Sequence, residues 1–90
     1  LSPAAQSIVA ERIDAIIAFD RSADVGRIKV PVLNIGARDD LIVPAFLQED
    51  MAALMPGSTL HLLKDGGHFF PVTRLAEFTE AVLSWAAKVP

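Results

Sequence analysis

Apolar residues recur along the chain at two spacings, which predict three helices and two strands. Helical spacing follows Ser2-Pro3, Pro44 and Thr73, and each of these positions suits the start of a helix. Short β-branched or apolar runs at residues 30–36 and 59–63 predict strands, and residues 20–29 form a polar connector. We expect the helical stripes to face a core. They are Val9, Ile13, Ile16 and Ile17; Leu47, Met51, Leu54 and Met55; and Leu75, Phe78, Val82 and Trp85.

The predicted order of elements is α-β-α-β-α, so the fold class is α/β. Two strands separated by a helix run parallel, and Pro31 must lie at the start of its strand because proline donates no ladder hydrogen bond. Two parallel strands alone leave both sheet edges unpaired, which is marginal in water. We therefore expect a fragment of a parallel sheet, completed by the upstream part of a longer protein or by another copy or chain.

Composition changes this picture in two ways. Of the 90 residues, 52% are hydrophobic and 21% are charged, and the mean hydropathy is +0.42. This is more apolar material than a small independent domain can easily bury. The net charge of −3 argues against nucleic acid or a membrane as partner, and no apolar run approaches a membrane span. Without cysteine, and with Leu1 preceded by no visible signal peptide, we expect a cytoplasmic protein.

The candidate chemistry lies in the loops that follow the two predicted strands. Asp39 and Asp40 follow the first strand, and His68 follows the second. Functional groups of parallel sheets gather at the carboxyl ends of the strands, so a hydrogen bond between an aspartate and His68 is expected. An aspartate that holds Nδ1–H of a histidine leaves Nε2 free to accept a proton from a hydroxyl nucleophile.

Simpler roles remain open for these residues. The two aspartates suit a solvated turn before a helix, and His61 within a strand is more typical of a structural or surface residue. A metal site built from Asp39, Asp40, His61 and His68 would match no known ligand spacing. We therefore predict neither a metal nor a cofactor.

The residues next to His68 also have two interpretations. Phe69 and Phe70 can line a substrate pocket, or they can pack against the last helix. Gly66 and Gly67 lack the following lysine of a phosphate-binding loop. We expect them to supply positive φ angles that aim His68.

Two stretches of the chain resemble the α/β-hydrolase-fold enzymes. Residues 32–44, VLNIGARDDLIVP, are similar to the turn that carries the catalytic acid, and residues 65–69, DGGHF, are similar to the histidine loop. The resemblance covers residues 27–88. Within the family, the closest similarity is to the aminoacrylate hydrolases of pyrimidine breakdown. It is carried by DDLIVP at 39–44, GGH at 66–68 and the Phe19-Asp20 helix end.

This resemblance implies a hydrolase of small ester, thioester, amide or C–N substrates, without cofactor. His68 would be general base and then acid, and Asp40 would orient it, with Asp39 as the alternate acid. Counting three residues from Gly36 gives Asp39, whereas counting four back from Pro44 gives Asp40, which we favour. Residues 1–20 would end a cap region, and residues 21–90 would form the C-terminal segment of the hydrolase core.

The nucleophile of such a triad is missing from the chain. Its serines are Ser2, Ser7, Ser22, Ser58 and Ser84, and none lies in a Gly-x-Ser-x-Gly elbow. We therefore expect the 90 residues alone to be inactive. Two alternatives remain: a non-enzymatic interaction module that completes its sheet with a partner chain, or an aspartate nucleophile as in dehalogenases and epoxide hydrolases.

Overall fold

The computed structural model describes residues 2–90, which form two strands and five helices. Leu1, the first residue of the predicted cap region, lies outside the described residues. The elements in chain order are α1 (Pro3–Ala18), α2 (Ser22–Val25), β1 (Leu33–Ala37), α3 (Ala45–Leu54), β2 (Thr59–Leu63), α4 (Phe70–Thr73) and α5 (Leu75–Lys88).

The two strands pair in parallel, as predicted. Their register joins Leu33 to Thr59 at one end and Ala37 to Leu63 at the other. The backbone N–H of Arg38 donates to the carbonyl of Leu63 over 2.9 Å and extends the ladder one residue further. The carboxyl ends of both strands therefore lie side by side, and the loops that follow them emerge at the same edge of the sheet.

Helix α1 begins and ends where the sequence predicted. The Ser2 hydroxyl accepts a hydrogen bond from the Ala5 N–H over 3.1 Å, Pro3 occupies the first turn, and Phe19 follows the last turn. Its apolar stripe is not covered, since no described residue of α1 is buried and Ile17 is 77% exposed. The predicted helix is confirmed, but among residues 2–90 its apolar face packs against no core.

Two one-turn helices were not predicted. Helix α2 lies in the connector at 20–29, where the Asp20 carboxylate accepts a hydrogen bond from the Ser22 N–H over 2.9 Å. Helix α4 lies directly before α5, and it displaces the predicted cap. Thr73 does not cap the last helix, because its hydroxyl donates to the Gly66 carbonyl over 2.6 Å, and Arg74 precedes α5 without a side-chain capping bond.

The core of the described chain sits beneath the carboxyl ends of the strands. Ala37, Leu63 and Phe70 form a buried cluster, against which Ile35 and Phe78 pack. The rings of Phe70 and Phe78 meet edge to face with centroids 5.8 Å apart, which ties α4 to α5. The buried cluster therefore lies next to the two loops that carry the candidate chemistry.

Of the two methionines predicted to be core residues, Met51 within α3 and Met55 just after it, only one is buried. Met55 is buried at 7% exposure, as predicted, but Met51 is 40% exposed, so its assignment to the core was wrong for residues 2–90. Helix α3 lies on the sheet with only part of its apolar face covered. Trp85 on α5 is half-buried and lines an open cleft.

The described chain is more extended than a compact domain of its length. Its Cα radius of gyration is 16.5 Å, against about 12 Å expected for a compact domain of this size. The principal extents are 51 × 33 × 20 Å. None of the helices in residues 2–90 combines the length and the apolar character needed to cross a bilayer.

Candidate active site

Asp40 and His68 meet at the carboxyl ends of the two strands. Nδ1 of His68 lies 3.0 Å from Oδ2 of Asp40, across the 28 residues that separate them in the chain. The Asp40 side chain is 6% exposed, whereas the His68 side chain is 37% exposed. The carboxylate is thus shielded from solvent, and the imidazole faces the surface.

The second oxygen of Asp40 fixes the turn after β1. Oδ1 accepts hydrogen bonds from the N–H groups of Ile42 and Val43 over 2.8 and 2.9 Å. Two backbone donors on one oxygen hold the carboxylate in one orientation, with the other oxygen aimed at His68. The simple turn role and the histidine-binding role, considered separately in the sequence, are therefore both filled by Asp40.

The electrostatics of Asp40 define the tautomer of His68. Burial raises the pKa of the Asp40 carboxyl, but hydrogen bonds from Val43, His68 and Ile42 outweigh burial, and the net pKa lies below its ordinary value of 3.8. At neutral pH the carboxylate is ionised and only accepts hydrogen bonds. Nδ1 of His68 must therefore carry the proton, which leaves Nε2 as the basic nitrogen at the surface.

Asp39, the neighbour of Asp40, binds the backbone of the histidine loop rather than the imidazole. Its Oδ1 accepts from the Gly67 N–H over 2.8 Å, and its Oδ2 accepts from the Gly66 N–H over 3.3 Å. Asp40, and not Asp39, is the aspartate that contacts His68.

The glycines of the histidine loop have the backbone conformation that was predicted. Gly66 has φ +119° and Gly67 has φ +68°, angles that L side chains rarely adopt. With these angles two successive N–H groups point to one carboxylate. The predicted role of the glycines in shaping the loop is confirmed.

Further bonds tie the same loop to the helices that follow it. The Thr73 hydroxyl donates to the carbonyl of Gly66, so both polar groups of Gly66 are bonded. Nε of Arg74 donates to Asp65 over 2.7 Å, and Asp65 is the first cause of the raised pKa of Arg74. The sequence analysis missed both Thr73 and Arg74 as loop contacts, because their partners lie seven and nine residues earlier and match no helical or strand spacing.

The two phenylalanines after His68 face different surroundings. Phe70 lies in the core against Phe78, which is the packing role left open by the sequence. Phe69 is 68% exposed, and its ring meets the His68 ring in a T-shaped arrangement with centroids 5.4 Å apart. Phe69 is therefore the phenylalanine that lies exposed beside His68.

Other candidate residues lie at the opposite end of the strands. The Ser58 hydroxyl accepts from the Asn34 amide over 3.2 Å, just before β2 begins. His61 and Ser84 line an open cleft of about 660 Å³ between β2 and α5. Asp40 and His68 are in contact, but residues 2–90 contain no group of three histidine or acidic side chains close enough to hold a metal ion.

A parallel α/β sheet with an acid and a histidine in adjacent loops agrees with what the comparison with known families finds. Residues 6–75 match the family described as the alpha/beta hydrolase fold. The match covers well over half of the chain, and the chain belongs to the α/β-hydrolase fold family. The predicted resemblance to this family is confirmed.

Three similar proteins share the name "Putative carbamate hydrolase RutD". The relative from Stutzerimonas stutzeri (strain A1501) is 39% identical over 77 residues, covering 86% of this chain and 29% of that protein. The relative from Variovorax paradoxus (strain S110) is 40% identical over 78 residues, with 87% and 29% covered. The relative from Pseudomonas syringae pv. syringae (strain B728a) is 38% identical over 79 residues, with 88% and 30% covered. The chain spans about three tenths of the length of these relatives.

Proposed function

We propose that the chain supplies the histidine and the acid of a Ser-His-Asp triad in a longer hydrolase. The observation that carries this proposal is the 3.0 Å contact between Nδ1 of His68 and Oδ2 of Asp40 at the carboxyl ends of parallel strands. In this role Asp40 holds the imidazole and stabilises the imidazolium that forms during turnover. Asp39, the alternate acid, is set aside because its carboxylate binds Gly66 and Gly67.

The proposed reaction is hydrolysis at a carbonyl carbon. A hydroxyl from the rest of the protein gives its proton to Nε2 of His68 as its oxygen attacks the carbonyl. His68 then passes that proton to the leaving nitrogen or oxygen as the bond to carbon breaks. Water repeats the sequence on the acyl intermediate, with His68 again as base. The acceptor for the first proton is the nitrogen that the Asp40 contact leaves exposed.

The proposed substrate is a small molecule with a carbamate carbonyl. The names of the relatives support this class, and esters, amides and related C–N substrates are the alternatives from the sequence. Phe69, exposed beside His68, is proposed as a wall of the substrate pocket. A cytoplasmic location and the absence of nucleic-acid and membrane partners stay predictions.

The remaining sheet is proposed to come from the upstream part of the same protein. Both strands have one unpaired edge among residues 2–90, and α1 carries an uncovered apolar stripe. In this arrangement residues 1–20 end a cap region and residues 21–90 belong to the core. A partner chain that completes the sheet without catalysis is the alternative, which the same exposed edges support.

Substitution of the acid and the base in the complete protein tests the proposal. His68→Ala and Asp40→Asn should each lower kcat by on the order of 10⁴-fold, because one removes the base and the other its tautomer support. Hydrolysis is measured on a carbamate, an ester and an amide of matched size.

His61→Ala is the matched control, since it removes an exposed histidine in the middle of β2 rather than in the loop that carries His68. Its kcat should equal that of the wild type. Full activity of both His68→Ala and Asp40→Asn would exclude the triad. Faster hydrolysis of the ester or the amide would contradict the proposed carbamate substrate, but it would not contradict the proposed triad.

A further inference from the structure

Two consecutive carboxylates, rather than one, connect the turn after β1 to the histidine loop. Asp40 contacts the imidazole of His68, and Asp39 contacts the backbone immediately before it. The bond from the Gly67 N–H to Asp39 is 2.8 Å long, and Gly67 is the residue that precedes His68. The position of the His68 backbone and the position of its ring are thus set by neighbouring side chains of the same turn.

The His68 ring has few other contacts that could hold it. Its side chain is 37% exposed, and its ring contact is with Phe69, which is itself 68% exposed. A ring with little packing keeps its place only if the backbone that carries it is fixed. Because Gly66 and Gly67 both have positive φ, the loop gains no stiffness from side chains of its own at these positions.

The Asp39 carboxylate is suited to supply that stiffness. It accepts both N–H groups of the Gly66–Gly67 pair, and hydrogen bonds to an ionised acceptor are stronger than those between neutral groups. The Thr73 hydroxyl holds the carbonyl of Gly66 from the opposite side. The loop is therefore fixed between the turn after β1 and the short helix α4.

We infer that Asp39 is a positioning residue for the proposed reaction: its carboxylate fixes the Gly66–Gly67 backbone so that Nδ1 of His68 reaches Asp40. This inference rests on the proposed triad, in which the Nδ1 contact orients the base. Asp39 itself touches neither the imidazole nor the reacting atoms. Its effect on rate is transmitted through the backbone of the histidine loop.

The test uses the complete protein with Asp39→Ala and Asp39→Asn. Asp39→Ala removes both hydrogen bonds, so kcat should fall about 10–100-fold with KM unchanged, as expected when a catalytic group is misplaced by about 1 Å. Asp39→Asn keeps an acceptor for Gly67 but turns an amide donor toward Gly66, so its kcat should lie between those of Asp39→Ala and the wild type.

A spectroscopic measurement separates positioning from general stability. The Nδ1 proton of His68 gives a far-downfield proton resonance while it is held by Asp40, and this resonance is identified by its loss in His68→Ala. It should weaken or move upfield in Asp39→Ala while circular dichroism stays that of the wild type. If Asp39→Ala does not fold, Asp39→Asn decides by the same two measurements.

Asp65→Ala is the matched control. It removes another carboxylate of the same loop, one that binds Arg74 and neither glycine N–H. Since both glycine bonds to Asp39 remain, its kcat and its Nδ1 resonance should stay much closer to those of the wild type than the values of Asp39→Ala do. The inference is overturned if the folded Asp39 variants keep the wild-type kcat and Nδ1 resonance. It is also overturned if Asp65→Ala lowers kcat and weakens that resonance as much as Asp39→Ala does.

The same set of variants tells this inference apart from the proposed function. If His68→Ala and Asp40→Asn keep full activity, the triad is absent and the proposed function fails. If those two variants are inactive and Asp39→Ala is not affected, only the positioning role fails.

Discussion

The two carboxylate oxygens of Asp40 have separate partners, and this division couples the turn to the imidazole. Oδ1 is held by the N–H groups of Ile42 and Val43, and Oδ2 is directed to His68. A carboxylate with one oxygen fixed by backbone has little freedom to rotate. The direction of the His68 contact is therefore a property of the turn rather than of a flexible side chain.

Acid should weaken this contact in a defined pH range. The pKa of Asp40 lies below 3.8 in the folded chain, so the folded state binds fewer protons than the unfolded state in that range. Its contribution to the free energy of unfolding is full above 3.8 and is lost as the pH falls through the lowered pKa. Unfolding of the complete protein by urea, measured on both sides of pH 3.8, should show a steeper loss of the free energy of unfolding toward acid in the wild type than in Asp40→Asn.

Asp50→Asn serves as the control for the loss of one negative charge, because Asp50 lies exposed on α3. This variant should keep the wild-type slope. Equal slopes in wild type and Asp40→Asn would contradict a stabilising role for the ionised Asp40.

At the residue scale the sequence predicted the participants and favoured the observed contact between Asp40 and His68, but residue counting left Asp39 open as the alternate. Counting three residues from Gly36 and four back from Pro44 gives different aspartates. The reason is that Gly36 and Pro44 are one residue further apart than the two counts require if they are to meet at one aspartate. Asp39 and Asp40 have the same side chain and adjacent positions. Only the backbone path of the turn decides that Asp40 contacts His68 and Asp39 contacts the glycines.

At the scale of elements, the histidine loop depends on how closely α4 and α5 approach it. A Cβ at Gly66 would lie 2.9 Å from Cγ of Arg74 and 3.0 Å from Cβ of Phe70. A Cβ at Gly67 would meet no atom within 4 Å. The loop is tightly packed at one glycine and open at the next.

Alanine substitution at the two glycines should therefore have unequal effects. Gly67→Ala has only the cost of its left-handed backbone, about 1–2 kcal/mol. Gly66→Ala adds an overpacking cost of about 1–3 kcal/mol to backbone strain of similar size. Thermal unfolding of the complete protein should show the larger decrease in Tm for Gly66→Ala. A larger decrease for Gly67→Ala would show that this packing does not limit the loop.

The longer elements were predictable because their sequences mark both ends. Strand β1 follows Pro31 and ends one residue after Gly36, and β2 follows the helix stop at Pro56-Gly57. The one-turn helices α2 and α4 were not predictable from periodicity, since four residues contain barely one turn. The prediction that Thr73 caps the last helix was wrong for the same reason, because periodicity does not show that the one-turn helix α4 ends at Thr73.

At the scale of the whole molecule, the apolar surface is larger than the core that the described residues form. Ile16, Ile17 and Leu41 are 73%, 77% and 94% exposed, while the buried cluster is confined to the carboxyl ends of the strands. A small chain with an uncovered sheet and apolar helix faces has little burial to offset its conformational entropy. The family could be predicted because its two motifs lie within this chain. The exposure of Met51 could not, since residues 2–90 cover only part of the apolar face of α3.

The 90 residues produced alone should not form a stable monomer. We expect no cooperative thermal transition, together with binding of a hydrophobic dye, because isolated two-stranded parallel sheets are marginal. The complete protein under the same conditions is the control and should unfold cooperatively. A monomeric chain of 90 residues with a sharp transition would show that the exposed faces need no cover.

The register between β1 and β2 also determines whether Asp40 can reach His68. A slip of one residue between β1 and β2 would displace the two loops by about 3.3 Å and turn every side chain of one strand to the opposite face. That displacement exceeds the whole 3.0 Å separation between His68 and Asp40. The alignment from Leu33–Thr59 to Ala37–Leu63 therefore brings this aspartate and this histidine into contact, and a slipped register would separate them even with every residue intact.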